Sequence, residues 1–209
     1  MKLQYLSYLA AYLIGSIPTA YIYGRVYKDI DIRKHGSGNV GATNTFRVLG
    51  KGPGIIVLVI DILKGVVATT LVPYVFQTTS VWAIILLGVC AVIGHNWTVF
   101  LNFKGGKGIA TSLGVLIGLA ITFSSMRIVL VSTLGLWAVV FLLSGYVSLA
   151  SLVAAIFLPV LMVATTQPFV LVALGVVICV FVVVRHRANI KRLLLGQESR
   201  VKLPFQKVK

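Results

Sequence analysis

Long apolar runs alternate with short polar segments along the chain. Seven runs stand out: Leu3–Tyr23, Ile55–Phe76, Val81–Phe100, Ile109–Phe123, Ile128–Ser144, Val147–Thr165 and Phe169–Val184. A helix that crosses a bilayer needs about 20 residues, with roughly 17 as the lower limit, so the fourth and seventh runs are short. Flanking residues or local bilayer thinning would supply the missing length. The pattern predicts seven transmembrane helices, the first bent near Pro18; five spans with re-entrant C-terminal segments is the alternative.

The composition supports the same fold class. Hydrophobic residues make up 58% of the 209 residues and charged residues only 11%, whereas a soluble domain has about 45–50% and about 25%. This excess of apolar side chains is too large for one globular core of this size. We therefore expect an all-α polytopic membrane bundle in which residues 1–209 form a single membrane-embedded domain.

The positively charged residues cluster in three polar segments. Of the 19 lysines and arginines, six lie in residues 24–54, two in residues 101–108 and eight in the tail from residue 185. With seven spans all three segments face one side, and only Lys2 and Arg127 face the other. The positive-inside rule makes the basic side cytoplasmic, with the N-terminus outside and the C-terminus inside. Topology thus accounts for much of the formal charge of +15, and no nucleic-acid partner is expected.

The first basic segment is rich in glycine and neutral polar residues. The stretch G-S-G-N-V-G-A-T-N-T-F-R occupies residues 36–47. Its glycines allow backbone conformations that bring N–H groups towards one point, and the arginine adds a planar, permanent charge. This combination is typical of a phosphate cradle, with a flexible linker as the alternative. The candidate residues are Gly36, Ser37, Gly38, Asn39, Gly41, Thr43, Asn44 and Arg47.

The second segment places glycines and lysines just before an apolar helix. It reads G-H-N-W-T-V-F-L-N-F-K-G-G-K-G-I-A-T over residues 94–111. Backbone donors at a helix N-terminus attract anions, and each lysine adds a charge. A nucleotide P-loop is excluded, because Leu101 and Gly108 stand where that motif requires glycine and serine or threonine. A tight turn with two positive-inside lysines is the alternative. The candidate phosphate-binding residues are Lys104, Gly105, Gly106, Lys107 and Gly108.

The third segment reads R-H-R-A-N-I-K-R-L-L-L-G-Q-E over residues 185–198. In a helix, Arg185, His186 and Asn189 share one face. A basic amphipathic helix at the membrane surface accounts for the leucines and the cations. It gives no reason for His186, Asn189 or Glu198. We expect Glu198 to be a structural ion-pair partner.

A few polar residues lie outside these segments. Asp61 and Lys64 fall within the second apolar run, where their i, i+3 spacing permits mutual neutralisation, although charge inside a membrane is also a functional hint. His95 is interpreted either as a ligand or base, or as a helix-end histidine bonded to backbone. The three histidines and four acids are too scattered for a metal site, and no cofactor is expected.

The three segments, in this order, resemble the three signature motifs of the bacterial PlsY family, the acyl-phosphate-dependent glycerol-3-phosphate acyltransferases. The resemblance extends over the whole chain and includes D-x-x-K-G at residues 61–65. One departure is Thr98, which stands in the region where the second motif usually has proline. We expect a local backbone difference there and the same chemistry.

The resemblance implies an enzyme of the bacterial inner membrane with its active site on the cytoplasmic side. Its reaction would move a fatty acyl group from acyl phosphate to the 1-hydroxyl of glycerol 3-phosphate, giving lysophosphatidate and phosphate, the first acylation of phospholipid synthesis. By the same analogy Ser37, Arg47, His186 and Asn189 are catalytic. Lys104 and the second-motif glycines would hold glycerol 3-phosphate, and Glu198 would support the structure. An enzyme that makes the acyl donor is a candidate partner.

Two questions stay open at this level. The proton of the attacking hydroxyl goes either to His186 or to the donor's own phosphate, and a covalent acyl-Ser37 is a weaker option because no adjacent base is evident. A membrane transporter of an anionic, phosphate-bearing metabolite or lipid is the alternative function. It predicts polar residues through several spans, whereas the apolar runs contain only Asp61 and Lys64 as charged residues well inside them.

Overall fold

The computed structural model describes residues 2–201, with side chains from residue 4 onward. In that range the chain forms α-helices and two short 3-10 turns, without strands, which confirms the all-helical class. The helices are α1 (Lys2–Ser16), α2 (Thr19–Lys28), α3 (Ala42–Leu49), α4 (Lys51–Thr69), α5 (Leu71–Val75), α6 (Val81–Asn96), α7 (Ile109–Thr122), α8 (Met126–Ser144), α9 (Val147–Ala164), α10 (Phe169–Arg185) and α11 (Arg187–Leu194). Lys202, Lys207 and Lys209 of the basic tail lie outside the described residues.

Several helices are long and apolar enough to cross a membrane. Four stretches of the described chain pass this test, and they are Lys51–Val75, Val81–Leu101, Met126–Ser144 and Val147–Ala164. The pair α10 and α11, bent by 61°, makes a fifth if it counts as one span, and α7 is a shorter apolar helix. The coarse prediction of a polytopic helical membrane protein is confirmed. The count of seven spans stays a prediction.

The first apolar run is broken near the predicted position. Helix α1 ends at Ser16 and α2 begins at Thr19. Pro18 lacks a backbone N–H and restricts the residue before it, which interrupts the helix. The carbonyl of Ile17 is thereby released from the helix, and it accepts a hydrogen bond from Lys64 Nζ at 2.5 Å.

The chain divides into two compact units, one up to Arg127 and the other from Ile128. In the first unit α4 packs mainly on α7, and α1 packs mainly on α6. In the second unit α9 packs on α10. The single-domain organisation stays a prediction.

Glycines allow the two main helix pairs of the first unit to approach closely. A Cβ added to Gly65 of α4 would overlap the Thr111 carbonyl of α7, and one on Gly114 of α7 would overlap the Ile62 carbonyl of α4. The same holds between α1 and α6, where Gly94 lies against the Tyr12 carbonyl. Small residues at such crossings are typical of membrane helices. These crossings fix the start of α7 and the end of α6, between which the second motif lies.

Candidate active site

The first two motifs share one hydrophobic anchor in the first unit. Val40 of the first motif and Leu101 of the second belong to the same buried cluster, together with Ala20, Ile32 and Val57. Both loops are therefore held on helices α2 and α4 by apolar packing. The polar residues of both loops are therefore attached to the same buried cluster.

Asn44 organises the first glycine-rich loop. Its side chain is 1% exposed; Nδ2 donates to the carbonyls of His35 at 3.0 Å and Ile32 at 3.3 Å, and Oδ1 accepts from the N–H of Ser37 at 2.9 Å. The N–H of Gly38 donates to the His35 carbonyl at 3.0 Å. Both amide hydrogens of Asn44 bond to carbonyls within the loop, so the Asn44 side chain holds the conformation of the loop backbone. Direct binding of phosphate by Asn44 stays a prediction.

Ser37, Thr43 and Arg47 are the exposed polar residues of this loop and of α3. Thr43 and Arg47 are four residues apart on α3 and therefore share a face. A Cβ on Gly36 would lie 3.4 Å from Arg47 Cδ, which brings the arginine stem beside the Gly36–Ser37 backbone. Gly36 and Gly38 have positive φ values of 61° and 70°, as a converging loop requires. Gly41 caps the start of α3 in an extended conformation, and Asn39 is half-buried beside it.

The second-motif glycines lie against the end of α6. The N–H of Gly105 donates to the Asn96 carbonyl at 3.1 Å, and that of Gly106 donates to the His95 carbonyl at 2.9 Å. A Cβ on Gly105 would overlap the His95 carbonyl. Close packing is therefore one physical reason for these glycines, and their role in phosphate binding stays a prediction. Gly108, with φ of 76°, caps the start of α7.

The second-motif lysines follow a turn of unusual backbone. Asn102 and Phe103 have positive φ values of 51° and 59°, and this turn leaves Lys104 exposed and Lys107 half-buried. Both lysines stand just before the N-terminus of α7, where a helix favours anions.

Thr98, the departure from the family pattern, has two roles of its own. Its hydroxyl accepts from the N–H of Phe100 at 3.2 Å and so caps the 3-10 turn Val99–Leu101. It also donates to the Ser16 carbonyl at 2.5 Å. Thr98 thus connects the second motif to the end of α1.

A buried polar cluster lies next to these loops. Asp61 and Lys64 form the ion pair that their spacing predicts, with Nζ 2.5 Å from Oδ1. Thr19 Oγ1 donates to the same carboxylate oxygen at 3.2 Å. His95 Nδ1 is 3.8 Å from that oxygen. Asp61 therefore connects α2, α4 and α6, a role that sequence spacing alone did not reveal.

In the second unit, His186 marks the bend between α10 and α11. It is 3% exposed, and its Nδ1 lies 2.8 Å from the Val182 carbonyl. Because a carbonyl only accepts hydrogen bonds, this contact assigns the proton to Nδ1. In the neutral ring Nε2 is then the nitrogen without a proton.

In the second unit, the Glu198 carboxylate accepts three hydrogen bonds. Oε1 accepts from Asn189 Nδ2 at 2.6 Å and from Ser148 Oγ at 2.7 Å, and Oε2 accepts from Arg192 Nε at 2.7 Å. Burial by itself would raise the pKa of Glu198, but the bonds from Ser148, Arg192 and Asn189 outweigh it and the pKa is lowered. Glu198 thus orients the Asn189 amide. The part of Ser148 could not be read from the sequence, because it lies 50 residues away.

A second carboxylate, that of Asp31, stabilises the turn that precedes the first motif. Asp31 caps the 3-10 turn Ile32–Lys34 and pairs with Arg33, with Nη2 2.7 Å from Oδ2. The Arg33 guanidinium holds the pKa of Asp31 at about 2. Sequence reasoning missed this pair, although an Asp two residues before an Arg at a turn start is a readable signal.

The residues that the motifs predicted are thus brought together in two groups. In the first unit, the loop of residues 36–47 meets the loop of residues 104–108. In the second unit, Asn189 donates to Glu198, and His186 lies three residues before Asn189. Among the described residues, no three His, Cys, Asp or Glu side chains lie close enough to hold a metal ion.

Comparison with known proteins agrees with these motifs. A family model described as glycerol-3-phosphate acyltransferase matches residues 5–196. The chain belongs to this acyltransferase family. The glycerol-3-phosphate acyltransferase of Trichormus variabilis is 43% identical over 208 residues, which cover 92% of this chain and 89% of that relative.

Solved structures of the acyltransferase family share the fold. Two crystal structures of PlsY (YgiH), an integral membrane glycerol 3-phosphate acyltransferase, are each 37% identical to this chain. The glycerol 3-phosphate form has a TM-score of 0.86 and covers 95% of this chain and 96% of its own. The lysophosphatidic acid form has a TM-score of 0.83 and covers 95% of both chains. The chain is therefore similar to an integral membrane protein along nearly its whole length.

Proposed function

We propose that this protein transfers a fatty acyl group from acyl phosphate to the 1-hydroxyl of glycerol 3-phosphate, releasing lysophosphatidate and inorganic phosphate. The observation that carries the proposal is the meeting of two cationic, glycine-rich loops on one hydrophobic anchor, in a chain that belongs to the glycerol-3-phosphate acyltransferase family. Family membership favours a transferase over a transporter. The acyl donor is proposed from the motif resemblance.

The first two loops would bind and align the phosphate-bearing substrates. Arg47 offers a planar fork for phosphate oxygens, and Lys104 and Lys107 add charge at the start of α7. Holding the glycerol hydroxyl against the acyl carbonyl converts an encounter in solution into a positioned reaction. Donors placed where the oxyanion forms stabilise the transition state.

The chemical step is short because an acyl phosphate is already activated. The 1-hydroxyl oxygen attacks the acyl carbon, and the bond from that carbon to the phosphate oxygen breaks, so that phosphate leaves with the electron pair. The hydroxyl proton goes to Nε2 of His186 or to the donor phosphate. With His186→Ala we expect a loss of about 10²–10⁴-fold in kcat if His186 is the base, whereas a loss below about tenfold assigns the proton to the donor phosphate.

We further propose that the bundle has seven spans, with the N-terminus outside and the motifs on the cytoplasmic side of a bacterial inner membrane. The distribution of lysine and arginine supports this orientation. Apolar α1 with α2, and the shorter α7, supply the spans beyond the four or five that length and composition give. An enzyme that makes the acyl phosphate would dock on the same side.

The test is direct. Purified protein receives acyl phosphate and labelled glycerol 3-phosphate, without metal, acyl-CoA or acyl carrier protein, and labelled lysophosphatidate is measured. We expect product with this donor and none when acyl-CoA replaces it. Absence of lysophosphatidate with both donors would refute the proposed function, and product from acyl-CoA alone would refute the donor.

A further inference from the structure

A buried charged cluster lies directly beneath the two glycine-rich loops, and the reaction proposed above does not use it. Asp61 and Lys64 are 2% and 3% exposed and lie inside the span Lys51–Val75. Ionisable groups inside a membrane protein are costly, and they are kept where they have a function. The contacts of this pair lead through His95 to the second motif.

Asp61 and Lys64 are held in place by contacts with Thr19 of α2 and with Ile17, which lies between α1 and α2. Lys64 Nζ donates to the Ile17 carbonyl and to Asp61 Oδ1, each at 2.5 Å. Thr19 Oγ1 donates to Asp61 Oδ1 at 3.2 Å. The carboxylate therefore has a set position, and it presents Oδ1 to His95 Nδ1 at 3.8 Å.

The other edge of the His95 ring faces both loops. A Cβ added to Gly106 would overlap His95 Nε2, and it would lie 2.9 Å from the Val40 carbonyl of the first motif. Gly106 also donates its N–H to the His95 carbonyl at 2.9 Å. The imidazole is thus wedged between Asp61 on one side and the glycine-rich loops on the other.

The space inside this cluster is too small for a substrate. A cavity of about 10 Å³ is lined by residues that include Asp61, Lys64, His95, Gly105 and Gly106. A volume of this size holds about one water molecule. Any effect of the cluster on the reaction therefore passes through the loop that it contacts.

We propose that His95 is a positioning residue for glycerol 3-phosphate. Asp61 and Lys64 fix the ring, and the ring fixes the loop at Gly105 and Gly106, which follows Lys104. This inference rests on the proposed function and adds a residue to it. Loss of the ring lets the loop shift, which weakens glycerol 3-phosphate binding and leaves acyl-phosphate binding nearly unchanged.

Three substitutions of His95 test the proposal. Equilibrium binding of labelled glycerol 3-phosphate gives Kd, and steady-state kinetics give KM for each substrate. With His95→Ala we expect Kd and KM for glycerol 3-phosphate to rise by at least about tenfold, and KM for acyl phosphate to change by less than about threefold. His95→Gln places an amide near the Nε2 position and should retain most of the affinity. His95→Asn, which reaches only towards Nδ1, should retain less.

A double-mutant cycle tests the contact itself. Gly106→Ala should weaken glycerol 3-phosphate binding in the unsubstituted protein, because the added methyl group meets the ring. In the His95→Ala background the overlap with the ring is gone, and only the approach of 2.9 Å to the Val40 carbonyl remains. Gly106→Ala should therefore have a smaller effect there, and non-additivity of this kind measures the direct contact between the ring and residue 106. Gly135→Ala is the matched control, because a Cβ there meets no atom within 4 Å.

The charged pair is tested with both charges removed together. Asp61→Asn combined with Lys64→Met leaves no unpaired buried charge, so the fold should persist. We expect this double variant to raise Kd for glycerol 3-phosphate in the same direction as His95→Ala, with a similar thermal unfolding midpoint.

Clear results would overturn the proposal. An unchanged Kd in His95→Ala, or a fall in kcat at constant KM, would assign His95 no positioning role. Equal effects of Gly106→Ala in both backgrounds would do the same. Failure of the unsubstituted protein to form lysophosphatidate would contradict the proposed function but not the role of His95. That role is decided by equilibrium binding of glycerol 3-phosphate, which does not require turnover.

Discussion

Gly36 occupies a point where the backbone conformation and the absent side chain both matter. Its φ is 61°, and a Cβ there would overlap Asn44 Oδ1, the atom that accepts the Ser37 N–H. Gly36→Ala therefore strains the backbone by about 1–3 kcal/mol and displaces the Asn44 amide. We expect kcat/KM for lysophosphatidate formation to fall by at least about tenfold.

Gly52→Ala is the matched control for this substitution. A Cβ on Gly52 meets no atom within 4 Å, so activity should stay within about twofold of the unsubstituted protein. Equal losses for Gly36→Ala and Gly52→Ala would show that the conformation of the first loop does not matter.

Glu198 gives a pH-dependent prediction. Its three hydrogen bonds lower its pKa from the usual 4.5, so the charged form stabilises the fold above that pH. The contribution is lost as the pH falls through the lowered pKa. Glu198→Gln should therefore lower the thermal unfolding midpoint at pH 7, and the difference from the unsubstituted protein should shrink below about pH 4.5. Thermal unfolding of the purified protein across pH measures both.

Asp29→Asn is the control for the removal of a carboxylate. The Asp29 side chain is 98% exposed and lies 4.0 Å from Arg25, a contact that contributes little in solvent. Its midpoint should match that of the unsubstituted protein at every pH. A constant gap between Glu198→Gln and the unsubstituted protein down to acid would contradict the ionic origin of the effect.

Local spacing in the sequence predicted one of these ion pairs and missed another, the Asp31–Arg33 pair. The Asp61–Lys64 pair follows from helical spacing, because residues three apart share a face. Thr19 lies 42 residues from Asp61, and no spacing rule connects them. The Asn44 network was also out of reach, because the same amide fits a phosphate ligand and a loop clamp equally well at the level of sequence.

At the scale of elements, the crossing of α4 and α7 depends on two glycines. A Cβ on Gly114 would overlap the Ile62 carbonyl and lie 3.0 Å from Gly65 Cα. Gly114→Ala should push the helices apart and destabilise the fold by about 1–3 kcal/mol. Because α7 begins at the second motif, KM for glycerol 3-phosphate should rise as well.

The comparison for Gly114→Ala is Gly135→Ala on α8, where a Cβ meets no atom within 4 Å. Thermal unfolding and steady-state kinetics of both variants give the answer. An unchanged midpoint in Gly114→Ala would mean that the two helices separate without cost.

Apolar runs predicted the helices well, and they predicted breaks less well. The break at Pro18 was readable because proline interrupts a helix by a local mechanism. The bend at His186 was not, because the Val182 carbonyl accepts both the His186 N–H at 2.9 Å and its ring Nδ1 at 2.8 Å. The sequence alone does not show that the ring of a histidine will bond to a carbonyl that the helix backbone also uses.

At the scale of the whole molecule, the distribution of charge indicates the orientation in the membrane, which helix packing does not indicate. Helix packing is nearly symmetric with respect to the two faces of a bilayer, whereas lysine and arginine are retained on the cytoplasmic face. Only four acidic residues accompany the 19 basic ones. Three of the four, Asp31, Asp61 and Glu198, have largely buried side chains that are already paired with a basic residue. The loops are thus left strongly cationic, which suits the proposed binding of two phosphate-bearing substrates.

The proposed orientation predicts which positions an impermeant maleimide can reach. In a background with Cys90→Ser and Cys179→Ser, Thr79→Cys and Pro168→Cys should react in intact cells, because both follow an odd number of membrane crossings counted from the cytoplasmic loop of residues 24–54. Lys51→Cys and Ser199→Cys should react only after permeabilisation. A bundle of five spans with a re-entrant C-terminal pair would leave Pro168→Cys unreactive in intact cells. Labelling of Lys51→Cys from outside would reverse the orientation and place both glycine-rich loops on the wrong side for a cytoplasmic substrate.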